Sequence, residues 1–206
     1  MPSLDDKIHI QMLNAVPAKD GALYGMHWGD PDSHSQLRVV VERYIKPYVD
    51  PAKTCVEIGP GGGRWTRYLL GFKQIYAVDY FQELLDEFNK NFSTYSNITT
   101  VKNNGTDFPN IPDNSVDFLF SFGVFVHLDL EIIDSYLSNM RRLFHKDSLA
   151  FIQYSDKNKK EAQENKGFSM NTPEQMRALL GKHKYEIIDE DVELLSHSSM
   201  VLFRLI

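Results

Sequence analysis

Residues 55–70 read CVEIGPGGGRWTRYLL. A short run, Cys55 to Ile58, leads into four glycines and a proline, and a segment of helix-forming residues follows. Glu57 stands two places ahead of the first glycine. Glycine supplies positive φ in a tight turn and leaves no side chain between the backbone and whatever approaches it. Glycines this dense are not expected of core packing, so the stretch predicts a strand, a sharp turn and a ligand brought against the turn.

The flanking sequence alternates in the same way. Leu37, Val40, Val41, Tyr44 and Ile45 recur at helical spacing within 35–48. Lys53–Ile58 reads as a strand, Arg64–Leu70 as a helix ended by Gly71, QIYAVD (74–79) as a strand and Phe81–Phe92 as an amphipathic helix. Ile98–Val101 is a short strand. SVDFLFSF (115–122) is nearly continuous in apolar residues, as at the centre of a parallel sheet. Asp129–Phe144 reads as a long helix, 148–154 as a strand, and 172–181 as a helix with Thr172 as N-cap and Pro173 at its first position. Two strands then follow with no helix between them. The expected fold is α/β: a doubly wound, Rossmann-like, mostly parallel seven-stranded sheet with an antiparallel C-terminal hairpin strand and helices on both faces. Residues 1–34 show weak periodicity and two turn signals, Asp20-Gly21 and Gly29-Asp30-Pro31, and read as an irregular N-terminal arm or lid; 35–206 form the domain. The polar tract 155–167 reads as a loop or frayed helix placed to act as a mobile cover.

Composition bounds the function. The 206 residues are 42% hydrophobic and 24% charged, ordinary for a globular domain, with a formal net charge of −6. That charge argues against a nucleic-acid surface. A single cysteine, Cys55, excludes an internal disulfide framework and a multi-thiolate metal site, and reads as a buried strand residue. No apolar stretch is long enough to span a membrane, and the N-terminus lacks a basic region followed by an apolar one. A reducing, cytoplasmic setting is expected.

In open α/β sheets ligands sit at the carboxyl ends of the strands, where the topology switches. A dinucleotide fingerprint would need a third glycine at Arg64, and a phosphate-binding loop would end in Gly-Lys-Ser or Gly-Lys-Thr. Glu57-Ile-Gly59-Pro-Gly61-Gly-Gly63, followed by a second acid at the end of the next strand, Asp79, resembles the class I S-adenosylmethionine-dependent methyltransferases over about residues 37 to 206. The resemblance implies S-adenosylmethionine as cofactor and S-adenosylhomocysteine as product. It implies that the turn of Gly59, Gly61 and Gly63 passes under the cofactor's amino-acid part, that Asp79 takes the two ribose hydroxyls with Tyr80 beside it, and that Glu57 orders the turn or meets the cofactor's ammonium. After the third strand the usual acid or amide slot falls near Gly105, a departure; Asp107 is the candidate for the adenine amine, with backbone at Thr106 and Phe108 the alternative. Ser121, ending the fourth strand, completes the cofactor set. Arg64 either meets the cofactor carboxylate or caps a neighbouring strand.

SFGVFVHLDLEIIDSYL, from Ser121, resembles small-molecule methyltransferases that act on sugar hydroxyls in glycan pathways. It offers His127 as general base, with a place in the cofactor shell or a structural hydrogen bond as alternatives. Tyr24, His27 and Trp28 in the arm, and Tyr154 at the end of the fifth strand, are candidates for the acceptor site. Trp65 reads as core, and His197 as an exposed turn histidine. No Pro-Pro-Tyr or Pro-Pro-Phe follows the fourth strand, as it does in DNA amino-methylating enzymes. Acids near His127 are explained by the helix dipole, so no metal is expected. The expected partner is a small-molecule acceptor, with no nucleic acid and no membrane insertion. Three functions stay open: an O-methyltransferase on a small-molecule hydroxyl, an amine N-methyltransferase, and a cofactor-binding module without catalysis.

Overall fold

The computed structural model describes residues 23–206. Seven strands form one sheet: β1 (Thr54–Ile58), β2 (Gln74–Asp79), β3 (Ile98–Lys102), β4 (Val116–Ser121), β5 (Phe144–Ser155), β6 (Tyr185–Asp191) and β7 (Ser198–Leu205), in the order β3-β2-β1-β4-β5-β7-β6. The first five run parallel, and β7 lies antiparallel to both of its neighbours. The chain therefore leaves β1 in one direction toward β2 and returns on the other side as β4. The crevice at the topological switch opens between the carboxyl ends of β1 and β4.

Strand alternation divides the core between the two faces. Val56, Ile58, Leu119, Ala150 and Ile152 point to one face, under α4 (Leu130–Met140) and α6 (Pro173–Lys182). Cys55, Phe118, Phe120 and Phe151 point to the other, under α1 (Ser35–Tyr44). The helical stripes expected from spacing are the buried ones: Leu37, Val40, Val41 and Tyr44 on α1, and Ile132, Ile133, Tyr136, Leu137 and Met140 on α4. Thr172 caps α6 by accepting from the Gln175 N–H at 3.2 Å.

Two elements differ from expectation. The helix expected over 129–144 stops at Met140, and Arg141–Leu143 form a 3₁₀ turn before β5 starts at Phe144. The Arg142 guanidinium donates to the carbonyls of Ile111 and Phe108, which draws this segment toward the loop ahead of β4. The register then slips between Val116 and Phe118, whose partners are Phe144 and Leu149. The second difference is the helix after the glycines. It is a single turn, α2 (Thr66–Leu69), because the tight turn runs on through Trp65.

Residues 1–22 of the expected arm lie outside the described residues. Residues 23–34 pack onto the domain. Leu23 joins Phe88 and Phe92, and the ring of Tyr24 is 7% exposed. The helix α3 (Gln82–Phe92) stacks Phe88 on Phe92 at 4.7 Å and presents Phe92 to Gly63. A Cβ on Gly63 would lie 1.9 Å from that ring, and Gly63 has φ of 99°. Gly63→Ala combines backbone strain with a clash in the core, so it should lower unfolding stability by at least about 2 kcal/mol in a denaturant titration. Adding Phe92→Leu should restore part of that loss; no loss from Gly63→Ala would contradict the packing.

Candidate active site

The turn after β1 is where three separate segments come close to bare backbone. A Cβ on Gly59 would lie 2.1 Å from Val124 of the loop after β4, and one on Gly62 would lie 2.3 Å from the backbone nitrogen of Tyr24. With Phe92 against Gly63, the glycines admit the protein's own groups. The expectation that they leave room only for a ligand is corrected on this point. Gly61 differs: a Cβ there would make ordinary contact with the Tyr24 ring, and its φ of 56° is what selects glycine. Gly59 N–H donates to the Val78 carbonyl at 2.8 Å, which joins the turn to the end of β2.

Both acids lie at this end of the sheet. Glu57 is 1% exposed, and its carboxylate accepts from the Thr66 hydroxyl at 2.6 Å, tying the exit of the turn back to β1. Asp79 accepts from the Phe81 N–H at 2.9 Å. Among the described residues it forms no ion pair, and burial pushes its carboxyl up to about 7 against the help of the Phe81 and Tyr80 amides. Burial also raises Glu57 to about 7, opposed by Thr66 and assisted by the charge of Asp79. Among the described residues the buried Tyr24 hydroxyl has no hydrogen-bond partner, and burial and then the charge of Asp79 raise its pKa. A buried carboxylate in no ion pair among the described residues, with the more distant charge of Lys102 favouring its ionised form, and an orphan hydroxyl at one strand end suit a polar ligand that brings hydrogen-bond donors, such as a ribose diol.

Around these groups the remaining cofactor candidates take different places. Tyr80 stands edge-on to Phe81, with the Lys102 ammonium 4.5 Å from its ring centre. Thr106 and Asp107 lie in a loop organised by two asparagines that sequence reading passed over. Asn103 is 4% exposed, accepts from the Gly105 N–H and donates to the Tyr136 hydroxyl. Asn104 accepts from the Thr106 and Asp107 amides while Asp107 accepts from its N–H. Paired Asn after a strand is a turn signal that was available. Ser121 is fully buried and donates its hydroxyl to the Ile58 carbonyl at 3.1 Å, a link between β1 and β4.

The residues expected on the acceptor side begin in the loop after β4. His127 Nδ1 meets the Gly167 carbonyl at 2.6 Å. A carbonyl only accepts, so Nδ1 carries the proton and the neutral ring has its lone pair at Nε2. Burial lowers the pKa of His127, opposed by the Gly167 contact. The tract 155–167, expected as a loop or frayed helix able to act as a mobile cover, contains a short helix, α5 (Lys160–Glu164), and the residues just after it are laced to the loop after β4. The Ser169 N–H donates to the Val126 carbonyl at 2.8 Å and the Asn171 amide to Leu128 at 2.8 Å. Phe168 stands edge-on to His127 and stacks on His197, each at 5.4 Å. His197 is thus half-buried in an aromatic group rather than an exposed turn residue. Phe168 had no periodicity to reveal it. Gln153 did have a signal, as a polar residue in an apolar strand. It is 1% exposed, accepts from the Gly123 N–H at 2.7 Å and donates to the Ser198 hydroxyl at 2.7 Å.

Tyr24, His27 and Trp28 form one aromatic group over the glycine turn, with ring centres 3.9–5.6 Å apart. Trp28 is 49% exposed. Tyr154 is placed elsewhere: it is fully buried in the core on the α4 and α6 face, and its hydroxyl reaches Glu190 on β6 at 3.3 Å. The structure does not bring it to the glycine turn. Trp65 is buried against Phe120 and Phe122. Among the described residues no group of three His, Cys, Asp or Glu side chains is placed to hold a metal ion, and no helix is long and apolar enough to cross a membrane.

Comparison with known proteins places this arrangement. Residues 56–152 match the family described as a methyltransferase domain. No curated protein matches the sequence significantly. Among solved structures, an S-adenosylmethionine-dependent methyltransferase from Aquifex aeolicus superposes with a TM-score of 0.64 at 20% identity, covering 85% of this chain and 95% of that one. DhpI, solved in complex with S-adenosylhomocysteine, gives 0.68 at 16% identity, with 88% of each chain covered. A Leishmania major S-adenosylmethionine-dependent methyltransferase gives 0.70 at 12% identity over 96% of this chain and 82% of that one. The chain thus has the fold of the S-adenosylmethionine-dependent methyltransferases, and its central residues 56–152 match a methyltransferase domain.

Proposed function

We propose that this protein is an S-adenosylmethionine-dependent methyltransferase that methylates a hydroxyl of a small molecule, a sugar or glycan intermediate being the acceptor class to try first. The observation that carries the reading is the fixed tautomer of His127 on the loop that packs Val124 against Gly59. S-adenosylmethionine, when bound, supplies a methyl group activated on a sulfonium. Asp79 would accept the ribose hydroxyls, the turn at Gly61 would hold the amino-acid end, and the aromatic group of Tyr24, His27 and Trp28 would cover the crevice. Covering matters because alignment and removal of water from the nucleophile supply much of the rate. His127 is neutral at physiological pH because burial holds its pKa below 6.5, so it can take the hydroxyl proton at Nε2. Gly167 then stabilises the imidazolium that results. The lone buried cysteine and the net charge of −6 support a cytoplasmic setting and a small-molecule partner.

Methyl transfer from radiolabelled S-adenosylmethionine to nucleotide sugars, glycans, phenols and amines tests the acceptor. Label on a hydroxyl is expected. Label on an amine alone would replace the reading with an N-methyltransferase, and bound cofactor with no label on any acceptor would favour a binding module. His127→Ala should lower turnover by about 10²- to 10⁴-fold while cofactor affinity stays within about twofold. Wild-type turnover should rise with pH through an apparent pKa below 6.5 and then level, and the variant should lack that limb. Equal activity of the two proteins across this range refutes the base.

Asp79 makes a separate prediction. The free carboxyl titrates at about 7, and only the carboxylate accepts both hydroxyls. The affinity for S-adenosylhomocysteine measured by calorimetry should therefore rise with pH, by up to about tenfold per pH unit below 7, and flatten above it. Asp79→Asn should bind at least about tenfold more weakly and lose most of this dependence. A pH dependence unchanged in Asp79→Asn would remove Asp79 from the cofactor site.

A further inference from the structure

Gln153 is a polar side chain at a position where packing alone asks for an apolar one. It follows Phe151 by two residues on β5 and so faces the same side of the sheet, which is otherwise lined by Phe118, Phe120, Phe151, Met200 and Leu202. Met200 is its partner across the ladder to β7, and Gln153 itself is 1% exposed. Hiding an amide on an apolar face is costly unless both of its ends are hydrogen-bonded, and a methionine of similar bulk would fill the space without that cost. Both ends are bonded. The Gly123 N–H donates to the Gln153 carbonyl at 2.7 Å, and the Gln153 amide nitrogen donates to the Ser198 hydroxyl at 2.7 Å. A backbone N–H only donates, so the orientation of the amide is fixed. Gln153 is thus a strut that runs from β7, through β5, to the start of the loop after β4.

Gly123 is where such a strut has most to decide. It is exposed and has φ of 83°. Glycine takes positive and negative φ about equally well, so the loop backbone alone does not choose between two orientations of the Phe122–Gly123 peptide. That peptide is planar, so turning its N–H away from Gln153 turns its carbonyl as well. The residues that follow transmit the choice. Val124 packs against Gly59, and Phe125–His127 form a 3₁₀ turn in which the His127 N–H donates to the Val124 carbonyl at 3.0 Å. Phe125 and Val126 are buried. The imidazole is therefore carried by a short, packed turn hung from the residue after Gly123. At its far end Nδ1 meets the Gly167 carbonyl at 2.6 Å, a contact that tolerates little displacement.

We infer that Gln153 is a positioning residue for His127: it selects one backbone state at Gly123 and so sets where the loop after β4 presents the imidazole to the Gly167 carbonyl. Its importance to catalysis rests on the reading of His127 as the general base, whereas the coupling itself does not.

Ring-nitrogen spectra of the full chain labelled with ¹⁵N-histidine, together with amide hydrogen exchange, test the coupling without any turnover. Gln153→Met keeps the bulk and loses both bonds. Gln153→Glu keeps an acceptor for Gly123 in either protonation state. Ser198→Ala removes only the outer partner. In the wild type at neutral pH one His127 nitrogen should read as protonated and the other as bare. In Gln153→Met, exchange at the Gly123 amide should accelerate by about tenfold to hundredfold, as for the loss of one hydrogen bond, and the two His127 signals should move toward each other as the second tautomer is populated. Gln153→Glu should hold the exchange within about twofold of the wild type and keep the two signals apart. Ser198→Ala should move both readouts in the direction of Gln153→Met, by less. A purely stabilising Gln153 would lower the thermal transition of Gln153→Met and leave the His127 signals of the folded protein in place, and that result overturns the inference. Unchanged exchange at Gly123 in Gln153→Met overturns it as well. If Gln153→Met fails to fold, Ser198→Ala carries the decision on the same signals. A His127→Ala protein that turns over like the wild type would refute the base and leave this coupling standing.

Discussion

The backbone at Gly59–Gly63 has no side chains, and three segments that are distant in sequence use that space at once. Val124 comes from the loop after β4, Tyr24 from the leader and Phe92 from the end of α3. Each approach is closer than any Cβ would permit, so the turn is a junction before it is a binding loop. The leader, the first strand and the loop after β4 thus form one continuous surface at the turn. This arrangement explains how a turn of five residues can fix the relative position of Asp79 on β2 and His127 beyond β4.

The same end of the sheet holds charge in an unfavourable state. Glu57 and Asp79 are both raised to about 7, chiefly by burial. A carboxyl whose folded pKa lies above its unfolded value favours folding most at low pH and loses that contribution as pH rises toward 7. Near neutrality this is on the order of 3–4 kcal/mol for each acid, from the pKa difference alone. Arg64, on the other side of the turn, is the opposite charge under the same burial. Two acids and a base are thus held buried around one turn without pairing with one another.

Most of the architecture was legible because its signals are local. Periodicity marked the buried faces of α1 and α4, and QIYAVD marked β2 to the residue. The glycine and acid spacing marked the crevice. Local signals failed where distant groups decide the outcome. Arg142, by reaching Phe108 and Ile111, ends a helix that sequence alone would continue to Phe144. Tyr154 sits at a strand end facing the expected cleft, yet its alternation places it on the opposite face, toward Glu190. Phe168 and His197 meet only because the 165–171 segment folds back on residues 126–128. The close contacts at the glycines were equally hidden, since a missing side chain does not say what fills its place.

One feature of the sheet reaches beyond its shape. The last strand in sequence is not the last in space: β7 lies between β5 and β6 and pairs with both. Until it is inserted, the outer edge of β5 and all of β6 have no hydrogen-bonding neighbour, and an open edge invites pairing with other chains. Ser198 holds Gln153, which in turn holds the Gly123 amide, and Ser199 holds Asp156. Insertion of β7 thus covers the open edge of β5, gives β6 its pairing partner and ties down the loop after β4 through Gln153 in a single step.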